Sequence, residues 1–149
     1  MAGAPTALGF AYFAGVKFAG YAAYSALLNR SKAAQRTGCK LPEFWKGGLV
    51  RCGIGIVTGA VYGFGFWLAM QHVHDIQFVD NYGVTLFFGA LVPVRVAEWL
   101  LFLWLLYRRC ELTRAAKAGA VTGGIVVSFL LDAIGVYGLF YIPGAAWIC

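Results

Sequence analysis

The chain has 149 residues, of which 61% are hydrophobic and 12% charged, with a mean hydropathy of +0.74. A soluble domain is about 25% charged, so this composition excludes an ordinary water-soluble fold and fits one membrane domain over residues 1–149. The net charge of +6 does not point to nucleic acid, because the basic residues sit in loops beside apolar runs, where orientation and anionic lipid headgroups account for them.

The first apolar run covers about 5–28. No basic segment precedes it, and it reads as a retained span, not a cleaved signal. Ala11, Gly15, Ala19 and Ala23 recur every four residues, and Lys17 lies mid-run with Tyr21 and Tyr24 following at helical spacing. A basic connection follows, with Arg30, Lys32, Arg36, Lys40 and Lys46, and Arg51 stands at the rim of the next run.

The second run covers about 49–70 and carries Gly55, Gly59 and Gly63 on one stripe, with Thr58 and Tyr62. Its exit holds His72, His74, Asp75 and Asp80 and no Lys or Arg. The third run, about 84–107, contains Pro93, Arg95 and Glu98; Pro93 frees the Gly89 carbonyl and predicts a kink. Arg108, Arg109, Arg114 and Lys117 then form a second basic connection. The fourth run, about 119–140, carries Gly119, Gly123, Gly124, Ser128, Asp132 and Gly135.

Each run is close to the roughly 20 residues that cross a bilayer core as a helix. Period-2 alternation is missing, which argues against a barrel. The expected fold is therefore all-α, a four-transmembrane-helix bundle with short loops. Every Lys and Arg except Lys17 and Arg95 lies in or beside the two basic connections. The positive-inside rule makes those loops cytoplasmic and both termini outward, N-out/C-out, in the cell (inner) membrane if the source is bacterial. Phe44, Trp45, Tyr82, Tyr107, Tyr141 and Trp147 suit headgroup belts.

Glycine-zipper stripes at Gly55, Gly59 and Gly63, and at Gly119 and Gly123, mark close helix packing, within the bundle or against a second copy. Val57–Val61 and Val121–Ile125 also resemble one another, a match that short Gly, Val and Thr strings produce readily.

Four ionisable residues fall within the spans: Lys17, Arg95, Glu98 and Asp132. They lie about 9 to 13 residues from the cytoplasmic ends, within roughly 6 Å of one another in depth at about 1.5 Å per residue. Two are basic and two acidic, so the set balances. Arg95 and Glu98 share a helix face and pair within the third helix, leaving Lys17 to Asp132. A neutral network that fixes helix register competes with an ion or proton path.

Cys39, Cys52 and Cys110 fall on the cytoplasmic side and Cys149 on the outer side, without CxxC spacing, so free thiols are expected. His72 and His74 are weak metal candidates, and with no third histidine a solvated loop is favoured over a metal site. Catalytic and cofactor motifs are absent from the sequence, and no cofactor is expected. The function expected is a non-catalytic subunit or assembly scaffold of a membrane complex, with a protein partner or homo-oligomer. The alternative is a small proton- or ion-coupled transporter or channel using the intramembrane carboxylates.

Overall fold

The computed structural model describes residues 7–31, 41–72 and 76–138. Among them it has four helices: α1 (Ala7–Arg30), α2 (Phe44–Gln71), α3 (Ile76–Tyr107) and α4 (Arg114–Gly138). Lys32, Arg36, Cys39, Lys40, His74, Asp75, Tyr141, Trp147 and Cys149 lie outside the described residues.

Helix boundaries differ from the apolar runs for a physical reason. Hydropathy marks where a segment is apolar, whereas a helix continues until its backbone is broken. So α2 starts at Phe44, directly after Pro42 and Glu43, and takes in Lys46. In the same way α3 starts at Ile76 and includes the polar Asp80 and Asn81 assigned to a loop from sequence. At 32 residues it is about 48 Å long, well beyond a hydrocarbon core of about 30 Å. Pro93 lies inside α3, and the helix runs on through it. Helix α4 begins after Thr113, whose hydroxyl accepts the Ala116 N–H at 3.2 Å as an N-cap.

Sequential helices pack side by side and α1 closes against α4, with the most extensive contact between α1 and α2. Three helices are long and apolar enough to cross a membrane: α2, the Thr85–Tyr107 part of α3, and the Arg114–Gly135 part of α4. The molecule is therefore membrane-embedded in character, and its outward residues agree: Val57, Val61, Phe64, Trp67, Leu100, Trp104 and Leu130 are all exposed.

Helix α1 is less apolar because of Lys17, Tyr12, Tyr21 and Tyr24, and its polarity is turned inward. Its buried stripe is Gly9, Phe13, Lys17, Tyr21 and Ser25, one residue in four. The small residues Ala11, Gly15, Ala19 and Ala23 lie on the opposite side and are exposed.

Aromatic side chains fill the core. Trp99, fully buried, meets Tyr21, Tyr24 and Phe102 edge to face at centroid distances of 5.9, 5.2 and 5.1 Å. Such pairs add about 0.5–1.5 kcal/mol beyond the area they bury. Room for these rings comes from glycines on the facing helices. A Cβ at Gly123 would sit 2.6 Å from the Tyr24 hydroxyl, and one at Gly135 would sit 2.6 Å from the Phe13 ring. At Gly124 it would collide with the Trp99 indole. At the end carrying the basic connections, Asn29 donates to the Pro42 carbonyl at 2.7 Å and accepts the Tyr107 hydroxyl at 2.8 Å, tying α1, the first connection and α3 together.

Candidate functional site

Five charged side chains from all four helices meet in the bundle interior. Lys17 of α1 pairs with Asp132 of α4 at 2.6 Å. Arg95 of α3 bridges both acids, holding Asp132 through Nη2 and Glu98 through Nη1, each at 2.9 Å. Arg51 of α2 reaches the same Glu98 oxygen, Oε2, at 2.5 Å. All five are buried, with Arg51 and Arg95 at 0% exposure. The geometry joins Lys17 with Asp132 and Arg95 with Glu98, and it links the two pairs through Arg95.

Arg51 is the member that sequence reasoning placed elsewhere, at the rim of the second run. Because α2 begins at Phe44, Arg51 already lies about 10 Å along the helix at 1.5 Å per residue. It shares a face with Gly55 and Thr58, the face turned to Glu98. That i, i+4, i+7 relation was the available signal.

With Arg51 included, three cations (Lys17, Arg51, Arg95) meet two carboxylates (Glu98, Asp132) among the described residues. A buried charge without a partner is costly, and removing one member of a buried pair typically costs about 3–5 kcal/mol.

Neutral donors and rings complete the surroundings. The Thr58 hydroxyl lies between the Ile54 carbonyl, at 2.8 Å, and the Glu98 carboxylate. Ser128 accepts the Trp99 indole N–H at 3.1 Å, stands 3.4 Å from Arg51 Nη2, and donates to the Gly124 carbonyl at 3.0 Å. Arg51 packs over the Tyr21 and Trp99 rings, each centroid 4.9 Å away. Lys17 lies over the Phe13 ring at 4.4 Å. The Arg51 Nε and Nη1 groups have no hydrogen-bond partner, and a buried unsatisfied donor costs about 1–3 kcal/mol.

The glycines singled out in the sequence are not equivalent. Gly123 lies against Tyr24, while Gly55 is buried with only the Arg51 guanidinium within reach of an added Cβ, at 3.4 Å. Gly63 and Gly119 have nothing within 4 Å of such an atom. Gly59 is half-buried. The two similar segments also diverge, since Thr58 turns inward to Glu98 while Thr122 is exposed.

One cysteine expectation is corrected. Cys52 is a free, half-buried thiol, but Cys110 is disulfide-bonded. Sequence spacing gave no sign of it, because a disulfide depends on spatial proximity, which spacing does not report. His72 is exposed, with Nδ1 2.9 Å from the Leu68 carbonyl. Among the described residues no three His, Cys, Asp or Glu side chains group as a metal site.

A cavity of about 250 Å³ at the end carrying the basic connections is lined by Tyr24, Leu28, Ser31, Tyr107 and Gly119, among others. A much smaller cleft of about 20 Å³ lies between α1 and α2, lined by Phe13, Lys17, Tyr21, Cys52 and Gly55 among others. No protein-family model, curated protein or solved structure matches the chain.

Proposed function

We propose that the chain is a non-catalytic subunit or scaffold of a membrane complex, crossing the bilayer four times and presenting α1 to a helical partner. The observation that carries this reading is the exposed stripe of Ala11, Gly15, Ala19 and Ala23. Lipid tails are as apolar as leucine, so membrane helices associate where small residues let backbones approach. Gly15 has nothing within 4 Å of an added Cβ, so this stripe is not used inside the bundle.

As the fourth span, α1 has the required length, 24 residues or about 36 Å. It is also bonded through Lys17 to Asp132 of a membrane-spanning helix. The one-sided basic charge supports N-out/C-out, with Arg108, Arg109, Arg114 and Lys117 near anionic headgroups of the cell (inner) membrane if the source is bacterial.

The ion cluster serves here as a lock. Glu98 and Asp132 each hold two cations. Both acids are thereby committed to bonds between helices. That weighs against the transporter alternative.

A photo-crosslinker placed at Ala19 in native membranes tests the proposal, with one at Leu130 as an exposed control. A discrete protein adduct from Ala19 and none from Leu130 supports it, and the adduct's mass separates a second copy from a different chain. Adducts with lipid alone at both positions would remove the partner-binding role.

A further inference from the structure

Where α3 passes into α4, the two helices and their connection border a groove of about 370 Å³. Leu103 and Tyr107 line it as buried residues, and Arg108 and Lys117 line it as exposed cations. Trp104 and Leu100, also exposed, continue the lining one and two turns back along α3, about 6 and 12 Å from Arg108 into the membrane-spanning part. The groove is therefore cationic at the membrane edge and apolar inside the span.

Neither cation forms an ion pair with a described residue. Arg108 lies over the Trp104 ring, 5.7 Å from its centroid, a contact made by the guanidinium face that leaves its N–H edges for an anion. Lys117 stands in the first turn of α4, which has no acidic residue, although the positive end of a helix favours one there. Glu111, the one acid between Arg108 and Lys117 in the chain, pairs with neither among the described residues.

We propose that this groove holds one anionic phospholipid, its phosphate head between Arg108 and Lys117 and an acyl chain along Leu103, Trp104 and Leu100. The inference rests on the membrane embedding of the chain, not on its partner-binding role or its orientation. Two demands select the occupant. A free phosphate would satisfy the cations and leave the apolar lining bare, whereas an uncharged chain would do the reverse. An amphiphile with an anionic head meets both, and Arg108 can hold a phosphate by two parallel N–H bonds. The volume falls within the roughly 300–1,000 Å³ of small-molecule sites. The site also distinguishes two basic residues from their neighbours, since Arg109 and Arg114 are equally exposed but do not line the groove.

The test is native mass spectrometry of the delipidated full chain in mild detergent, titrated with phosphatidylglycerol, phosphatidylcholine or inorganic phosphate. The parent should retain one phosphatidylglycerol per chain and hold it at least about tenfold more tightly than phosphatidylcholine. Arg108→Gln with Lys117→Gln should remove that preference. Arg109→Gln with Arg114→Gln, which removes the same charge, should keep most of it. Both pairs are exposed, and thermal midpoints in lipid-free detergent verify that each variant is folded. Equal losses from the two pairs would overturn the discrete site in favour of diffuse attraction to the basic connection. Equal binding of the two lipids by the parent would overturn it without any variant, and displacement of phosphatidylglycerol by equimolar inorganic phosphate would show that the acyl chain contributes nothing. Flotation of the chain with liposomes after an alkaline wash reports membrane embedding separately, so a chain that floats but shows no lipid preference refutes this site alone.

Discussion

Arg51 and Glu98, 47 residues apart in the chain, meet at 2.5 Å inside the bundle. Their contact changes the meaning of the neighbouring Arg95–Glu98 pair. Within one helix, Arg95 and Glu98 do little to orient other helices. Once Arg51 shares the carboxylate and Arg95 extends to Asp132, the same charges couple α2, α3 and α4, and Lys17 adds α1.

Glu98→Gln should therefore be severe. It leaves Arg51 and Arg95 facing a neutral amide, and breaking a buried pair from one side costs about 3–5 kcal/mol. Arg51→Met combined with Glu98→Met removes one charge of each sign and should recover much of that loss. Thermal midpoints in detergent for the two variants check this; a Glu98→Gln midpoint equal to the parent's would show that the cluster does not hold the fold together.

The four helices and four of the five cluster residues were legible in the sequence, because long apolar runs and charges inside them are strong signals in lipid. Arg51 was not, since its depth was counted from the edge of an apolar run while the helix begins at Phe44. Periodicity also found the small-residue stripes without showing which way they point. Ala11, Gly15, Ala19 and Ala23 face outward, and the residues that receive core rings are Gly123, Gly124 and Gly135. A glycine that accepts an indole looks the same in sequence as one that faces open space.

That distinction yields a packing prediction. Gly124→Ala drives a methyl group into Trp99, which is fully buried and hydrogen-bonded to Ser128. Overpacking of this kind costs about 1–3 kcal/mol. Gly63→Ala meets nothing within 4 Å and should be neutral or stabilising by up to about 1 kcal/mol through helix propensity. Chemical or thermal unfolding in one detergent compares them, and equal losses from both would refute this account of the core.

Asn29 offers a local test at the end carrying the basic connections. Asn29→Ala removes the donor to the Pro42 carbonyl and the acceptor of the Tyr107 hydroxyl. Each hydrogen bond contributes about 0.5–1.5 kcal/mol net, so a loss near 1–3 kcal/mol is expected. Faster hydrogen exchange should accompany it at Ser31 and Leu41, which flank the first connection. Unchanged exchange there would mean that Asn29 does not anchor the connection.

Topology and cysteine chemistry can be decided together. Basic loops resist translocation, so Glu111→Cys should be labelled from the cytoplasmic side and a reporter fused after Cys149 should read outside. The Cys110 disulfide pulls the other way, because a reducing cytoplasm does not maintain such bonds. In a Cys52→Ala background, alkylation of intact cells followed by reduction and a second label reports the state of Cys110. Cytoplasmic labelling of Glu111→Cys with Cys110 reactive before reduction would support the charge-based orientation and show that the disulfide does not form in cells. External labelling with Cys110 blocked until reduction would reverse the orientation, placing the basic loops in an oxidising compartment and both termini inside. The disulfide would then be the stronger determinant and the basic residues would face the outer leaflet.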